Sequence, residues 1–150
     1  MSITSVSFFS AAQTSRILPE ENWGVISINN PGKDANPLKD GWSSTLRLWF
    51  HDIDESSIAA KLAGYEAMTP MQAQMVVDWV RKVEGSLYTI IVHCEMGVSR
   101  SAAIALWIAE RHGLVDEYFS RKAALYNRYV YSLLNTAAHG PMVAGAEREV

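Results

Sequence analysis

The chain contains a single cysteine, Cys94, in a setting suited to chemistry. Cys94 closes the apolar run "TIIVHC" and is followed by "EMGVSRS", a loop with one glycine, one arginine and two serines. The chain then turns apolar and alanine-rich in "AAIALWIAE". A strand leading into such a loop and a buried helix leading out make an anion site. The first turn of the helix offers unpaired N–H groups and the positive end of the dipole. The N–H groups of Glu95, Met96, Gly97, Val98, Ser99 and Arg100 converge on one oxyanion if the loop curls into a nest, and Gly97 permits that curl. Arg100 adds a permanently charged planar fork that matches two phosphate oxygens at once, which a lysine does not. A thiol at the base of this positive field loses its proton readily, and the thiolate is the form that attacks. Cys94 therefore reads as a nucleophile rather than as a small buried hydrophobe. Ser99 is placed to brace the loop, and Ser101 to donate to the sulfur and ease its departure. His93 reads as a backbone partner that shapes the loop, since a thiolate already formed needs no base.

The elements that must position these residues follow from pattern. Ile3 to Phe9 and Trp23 to Ile28 are β-rich, and "LRLWF" (Leu46 to Phe50) is a further strand candidate. Ala11 to Leu18 reads as a short helix stopped by Pro19, and "NNPGKDANPLKDG" as a loop. In "TPMQAQMVVDWVRKVEG" Thr69 is an N-cap, Pro70 suits the first helical position and Gly85 the stop. Met71, Met75, Val76, Trp79, Val80 and Val83 are expected to form its buried face. Tyr88 to Val92 is a buried-strand run, and Ser99 to His112 a helix that is apolar all round and hence central. Val115 to Ala138 reads as one or two helices, and the tail after Gly140 as loose. Strands alternate with helices and no linker divides the chain. The expectation is one α/β domain over residues 1–150, with a central, mostly parallel sheet of about four to five strands flanked by helices.

Bulk properties narrow the function classes. A chain of 150 residues fits one core, and its net charge of -3 gives no basic footprint for nucleic acid. One cysteine allows neither an intramolecular disulfide nor a Cys-rich zinc site, and His51, His93, His112 and His139 lack metal-ligand spacing. We expect no metal and no cofactor. No apolar stretch reaches the ~18 residues of a membrane helix, and the first residues lack a signal-peptide pattern. The expected location is a reducing cytoplasm, where a lone thiol stays free.

"HCEMGVSRS" resembles the signature loop of the cysteine-dependent protein tyrosine phosphatases: His-Cys, five residues, Arg, then Ser or Thr. His93, Cys94, Arg100 and Ser101 meet every fixed position. The order of elements up to about residue 135 is similar to that of the compact dual-specificity and bacterial tyrosine phosphatases. The resemblance implies a protein tyrosine phosphatase-like fold, a phosphocysteine intermediate and a phosphorylated protein, phosphotyrosine foremost, as substrate. It also implies an upstream aspartate as general acid. Asp52, at the end of a strand candidate in "LWFHDIDES", is the first choice, Asp54 the second, and Glu55 the remaining carboxylate. The separation of Asp52 from Cys94 is longer than in the common compact enzymes, and the extra length falls in "SSIAAKLAGYEAM".

Other roles read as bland. His51 is expected to be an exposed loop histidine, and Asn127 a helix contact that could instead touch the signature loop. Arg111, Arg121, Lys122 and Arg128 read as solvated helix charges. Arsenate reduction needs further cysteines, and sulfur transfer fits the His-Cys start and Arg-Ser end less well. Glu95, Met96 and Val98 suit a singly phosphorylated side chain better than a phosphoinositide headgroup or an RNA 5′-phosphate. A non-catalytic phospho-residue binding module is the alternative from another class, and it would need a damaged signature, whereas this one is intact.

Overall fold

The structure is a computed structural model that describes residues 2–53 and 57–139. In chain order the elements are β1 (Ser5–Ser10), α1 (Ala11–Thr14), β2 (Trp23–Asn29), β3 (Ser44–Trp49), α2 (Ile58–Leu62), α3 (Pro70–Val83), β4 (Thr89–Cys94), α4 (Arg100–Arg111), α5 (Glu117–Lys122) and α6 (Arg128–His139). The sheet has four strands in the order β1-β4-β2-β3, and every pairing is parallel. Helices must cover both faces of such a sheet, which is why β4 is buried at every residue and β2 at all but Trp23. No described helix is long and apolar enough to cross a membrane.

Chain ends of the elements obey local chemistry. Thr69 and Gln72 form a capping box at the start of α3, with Pro70 in its first turn. The buried face of α3 is Ala73, Val76, Val77, Trp79, Val80 and Val83. The expected face is corrected here: Met71 and Met75 are exposed, because helical spacing back from Val80 and Val76 lands on Ala73 and leaves both methionines on the far side. α1 is shorter than expected and ends at Thr14, while the stretch from Val115 divides into α5 and α6. α4 is buried along almost its whole length and packs on β1, β4 and α6, so the helix leaving the cysteine loop is the central one. The tail beyond residue 139 lies outside the described residues.

The helix charges Arg111, Arg121, Lys122 and Arg128 are exposed, as expected, and each also holds a partner. Lys122 stays exposed as a residue but folds its amine back on β1: its Nζ donates to the Phe8 carbonyl at 2.8 Å and lies 4.4 Å and 4.5 Å from the ring centres of Phe8 and Phe9. Burial holds this amine below the usual lysine range. Arg111 grips Glu84 through both Nε and Nη2, at 2.9 Å each, and joins α4 to the end of α3. Arg128 donates to the Tyr126 hydroxyl at 2.6 Å, whereas Arg121 makes only an exposed pair with Glu117 one turn earlier.

Trp79 fixes the packing of α3 on the sheet. Its Nε1 donates to Ser44 Oγ at 3.0 Å, and its ring lies over Gly24 of β2. A Cβ at Gly24 would fall 2.5 Å from Leu87 Cδ1 and 3.1 Å from Trp79 Cη2. Gly24→Ala should therefore cost about 1–3 kcal/mol by overpacking. Urea denaturation checks this, and an unchanged midpoint would show that the Trp79 contact is slack.

Candidate active site

β4 ends at Cys94, and the loop curls from there into the first turn of α4. Gly97 adopts φ 71°, and a Cβ on it would lie 2.3 Å from Ser10 N and 2.4 Å from Phe9 C. The loop thus presses on the end of β1 with room for glycine alone. A second tie is the Ala11 N–H, which donates to the Glu95 carbonyl at 3.3 Å. Among the described residues, no backbone N–H from Glu95 through Arg100 donates to any protein group. Six donors are left without a protein partner beside Cys94, and a backbone curled in this way makes a concave anion site. The side chains of Glu95, Met96 and Val98 point to the surface, so the loop contributes its backbone inward.

Arg100 is buried at 5 % exposure, and its Nη1 is fully used. It donates to Asn30 Oδ1 at 2.9 Å and to the Phe50 carbonyl at 2.7 Å. Its Nε has no partner. The guanidinium is thereby fixed by one nitrogen, leaving the Nε–Nη2 edge, the one that grips two oxygens in parallel. Cys94 Sγ lies 3.1 Å from Ser101 Oγ, and both residues are buried. Ser101 stands where it was expected, as a hydroxyl on the sulfur. Ser99 does not cap α4; its hydroxyl donates to Asp52 Oδ1 at 2.8 Å.

Asp52 is held twice. Besides Ser99, Asn127 Nδ2 donates to Asp52 Oδ1 at 2.9 Å. The same Asn127 side chain accepts from the Val130 N–H at 3.0 Å through Oδ1, and the Asn127 N–H donates to the Ser99 carbonyl at 3.1 Å. Asn127 therefore serves the start of α6, as expected, and also joins the cysteine loop to the aspartate. Asp52 borders a cavity of about 400 Å³ lined by Asn30, Pro31, His51, Tyr65 and Arg100. Asp54 and Glu55 lie outside the described residues. His51 is not the exposed loop histidine expected. It is half-buried, accepts the Glu66 N–H on Nδ1 at 2.8 Å and meets the Tyr65 ring edge-on at 4.7 Å.

His93 is completely buried, and its Nε2 lies 2.7 Å from Ser27 Oγ. Burial pushes the ring down to about 4, against a partial upward pull from the Cys94 backbone, with the charges of Arg47 and Arg100 adding to the fall. A neutral ring cannot pull a proton from Cys94 and keep it, which agrees with a shaping role. Residue reasoning missed Asn30, Ser27 and Arg47. Asn30 stood in a stretch legible only as loop, and Ser27 interrupts an otherwise apolar strand, the one signal that a buried polar partner was needed.

No family model matches the chain, and no curated protein does. Among solved structures it is similar to human tyrosine phosphatase-like serine/threonine/tyrosine-interacting protein, at 17 % identity over 75 % of this chain and 73 % of that one, with a TM-score of 0.42. It is also similar to human DUSP28, at 14 % identity over 89 % of this chain and 91 % of the other, with a TM-score of 0.43. The chemistry of this site rests on its own residues.

The buried ring carries a pH dependence. The folded-state value near 4 lies below the ordinary 6.5, so the unfolded chain takes up this proton first as pH falls. Stability supplied by the neutral ring is complete above pH 6.5 and is lost between 6.5 and about 4, up to ~3 kcal/mol. Denaturation of wild type and His93→Asn across that window should show a steeper acid loss in the wild type. Parallel curves would mean that another group supplies the slope.

Proposed function

We propose that this protein is a phosphomonoester hydrolase that works through a phosphocysteine and takes phosphotyrosine in proteins as its preferred substrate. The observation that supports this reading is that six loop N–H groups and the Nε of a buried Arg100 have no protein partner in the loop that follows Cys94. A dianionic phosphoryl group answers all of these donors, and the same donors meet the charge that spreads over its equatorial oxygens in the transition state.

In the first step Cys94 Sγ attacks phosphorus as the bond to the leaving oxygen breaks, and Asp52 gives that oxygen a proton. In the second step water attacks the phosphocysteine, Asp52 takes the proton, and the S–P bond breaks to return the thiolate. The Ser101 hydroxyl, 3.1 Å away, hydrogen-bonds to the departing sulfur and stabilises the thiolate while keeping its own proton. Asn127 and Ser99 keep the Asp52 carboxylate on the leaving-group side. Phosphotyrosine is favoured by the cavity beside Arg100, whose Pro31 and Tyr65 suit an aryl ring. The free thiol suits a reducing cytoplasm as the working location.

Cys94→Ser should abolish turnover of an aryl phosphate and keep phosphate binding; measurable hydrolysis by that variant would refute the covalent route. If the wild type binds phosphotyrosine peptides without any product burst, the chain is a binding module instead. Arg100→Lys should lower kcat/KM by about 100-fold or more, and a loss under about tenfold would remove its bidentate role. Asp52→Asn should slow esters with poor leaving groups by about 100-fold or more, while sparing those with good ones. Equal losses across a leaving-group series would exclude Asp52 as the acid.

A further inference from the structure

The extra length between Asp52 and Cys94 is anchored in an unusual way. α2 starts on Ser57, whose hydroxyl accepts the Ala60 N–H, and the Tyr65 N–H donates back to the Ala60 carbonyl at 3.0 Å. No residue from 59 to 66 is buried. Burial does not hold these residues, so their place depends on polar ties to their neighbours.

Those ties lie where the chain returns to the end of β3. The His51 N–H donates to the Glu66 carbonyl at 2.6 Å, and the Glu66 N–H donates to His51 Nδ1 at 2.8 Å. A backbone N–H can only donate, so the ring nitrogen is the acceptor. His51 thus clasps Glu66 twice, once through its backbone and once through its ring. The same ring meets that of Tyr65 edge-on, with centres 4.7 Å apart. Farther along, Met68 is buried and Gln72 Nε2 donates to the Trp49 carbonyl at 2.8 Å. Tyr65 and His51 both line the cavity that Arg100 and Asp52 border. Tyr65 is 51 % exposed, so its ring takes its place from the clasp rather than from core packing. Asp52 differs, because Ser99 and Asn127 hold it independently.

We infer that His51 is a positioning residue: through its clasp on Glu66 it holds Tyr65 as an aromatic wall of the cavity, and it serves that wall rather than the aspartate. The wall discriminates by what the ester carries. A phosphorylated aromatic side chain with its phosphate at Arg100 presents a ring to Tyr65, whereas inorganic phosphate presents none. The effect on substrate choice rests on the proposed phosphatase reading; the clasp itself does not.

Amide hydrogen exchange at Glu66 and steady-state kinetics with phosphotyrosine test this together. His51→Phe keeps a ring beside Tyr65 and removes the acceptor, whereas His51→Asn keeps an oxygen near the position of Nδ1 and removes the ring. Glu66 should exchange slowly in the wild type and in His51→Asn, and about tenfold or more faster in His51→Phe. Fast exchange in the wild type would overturn the clasp. His51→Phe and Tyr65→Ala should each raise KM for phosphotyrosine by about fivefold or more, with a much smaller change in kcat. Competitive inhibition by inorganic phosphate should not move. His51→Asn should lie nearer the wild type than His51→Phe, and the reverse order would overturn the role of the bond. In a Tyr65→Ala background His51→Phe should add little, since both act through one wall. Additive losses, or a kcat loss that grows with poorer leaving groups, would overturn the inference. His51 is half-buried and Tyr65 exposed, so neither variant empties the core. If the wild type turns over no phosphomonoester, the proposed function fails, and the wall is then judged by the same shift in phosphotyrosine affinity.

Discussion

The backbone at Gly97 and the backbone at Phe9 and Ser10 are in contact, with no side chain between them. Everything in the site depends on that contact. It forces a left-handed residue into the middle of the cysteine loop, the conformation from which a curled, anion-binding backbone is built. β1 is therefore more than an edge strand. It is the wall against which the loop is bent, reinforced by the bond from Ala11 to Glu95. A sheet buried on both faces supplies the rigid base from which this exposed loop offers its unpaired donors.

A second layer of constraint converges on the same loop from residues distant in sequence. Arg100 is immobilised by Asn30 and by the Phe50 carbonyl at the ends of β2 and β3. Asp52 is immobilised by Ser99 and Asn127. Each of these contacts comes from the carboxyl end of a strand or the amino end of a helix, the rim where a parallel sheet gathers its ligands. The aspartate is thus held against the cysteine loop rather than left on a free arm, and the start of α6 is tied to the same bonds through Asn127.

Much of this was readable from residue order. The candidate nucleophile, the loop after it and the central helix were legible because they are contiguous: Cys94 to Ser101 is one unbroken stretch, and the apolar pattern around it has one interpretation. Asp52 was legible as a candidate only through resemblance, and its place at the end of a strand candidate was the one local feature that set it before Asp54. The sheet was legible as four or five parallel strands, and four are present. What escaped was non-contiguous. Asn30 and Arg47 acquire meaning only when strands distant in sequence are laid side by side. The buried seam of α3 was displaced onto the two methionines because a propensity for burial was credited to Met71 and Met75 over Ala73, although helical phase decides which side chain faces inward.

Lys122 has a consequence of a different kind. β1 lies at the edge of the sheet, and an edge strand of alternating serine and apolar residues invites another chain to add itself. The amine of Lys122 occupies the Phe8 carbonyl and covers the two phenylalanine rings beside it. An incoming strand would have to displace a cation that the edge already holds. The same strand that bends the cysteine loop thus has its outer edge guarded, so the wall of the loop and the protection of the sheet edge share one lysine.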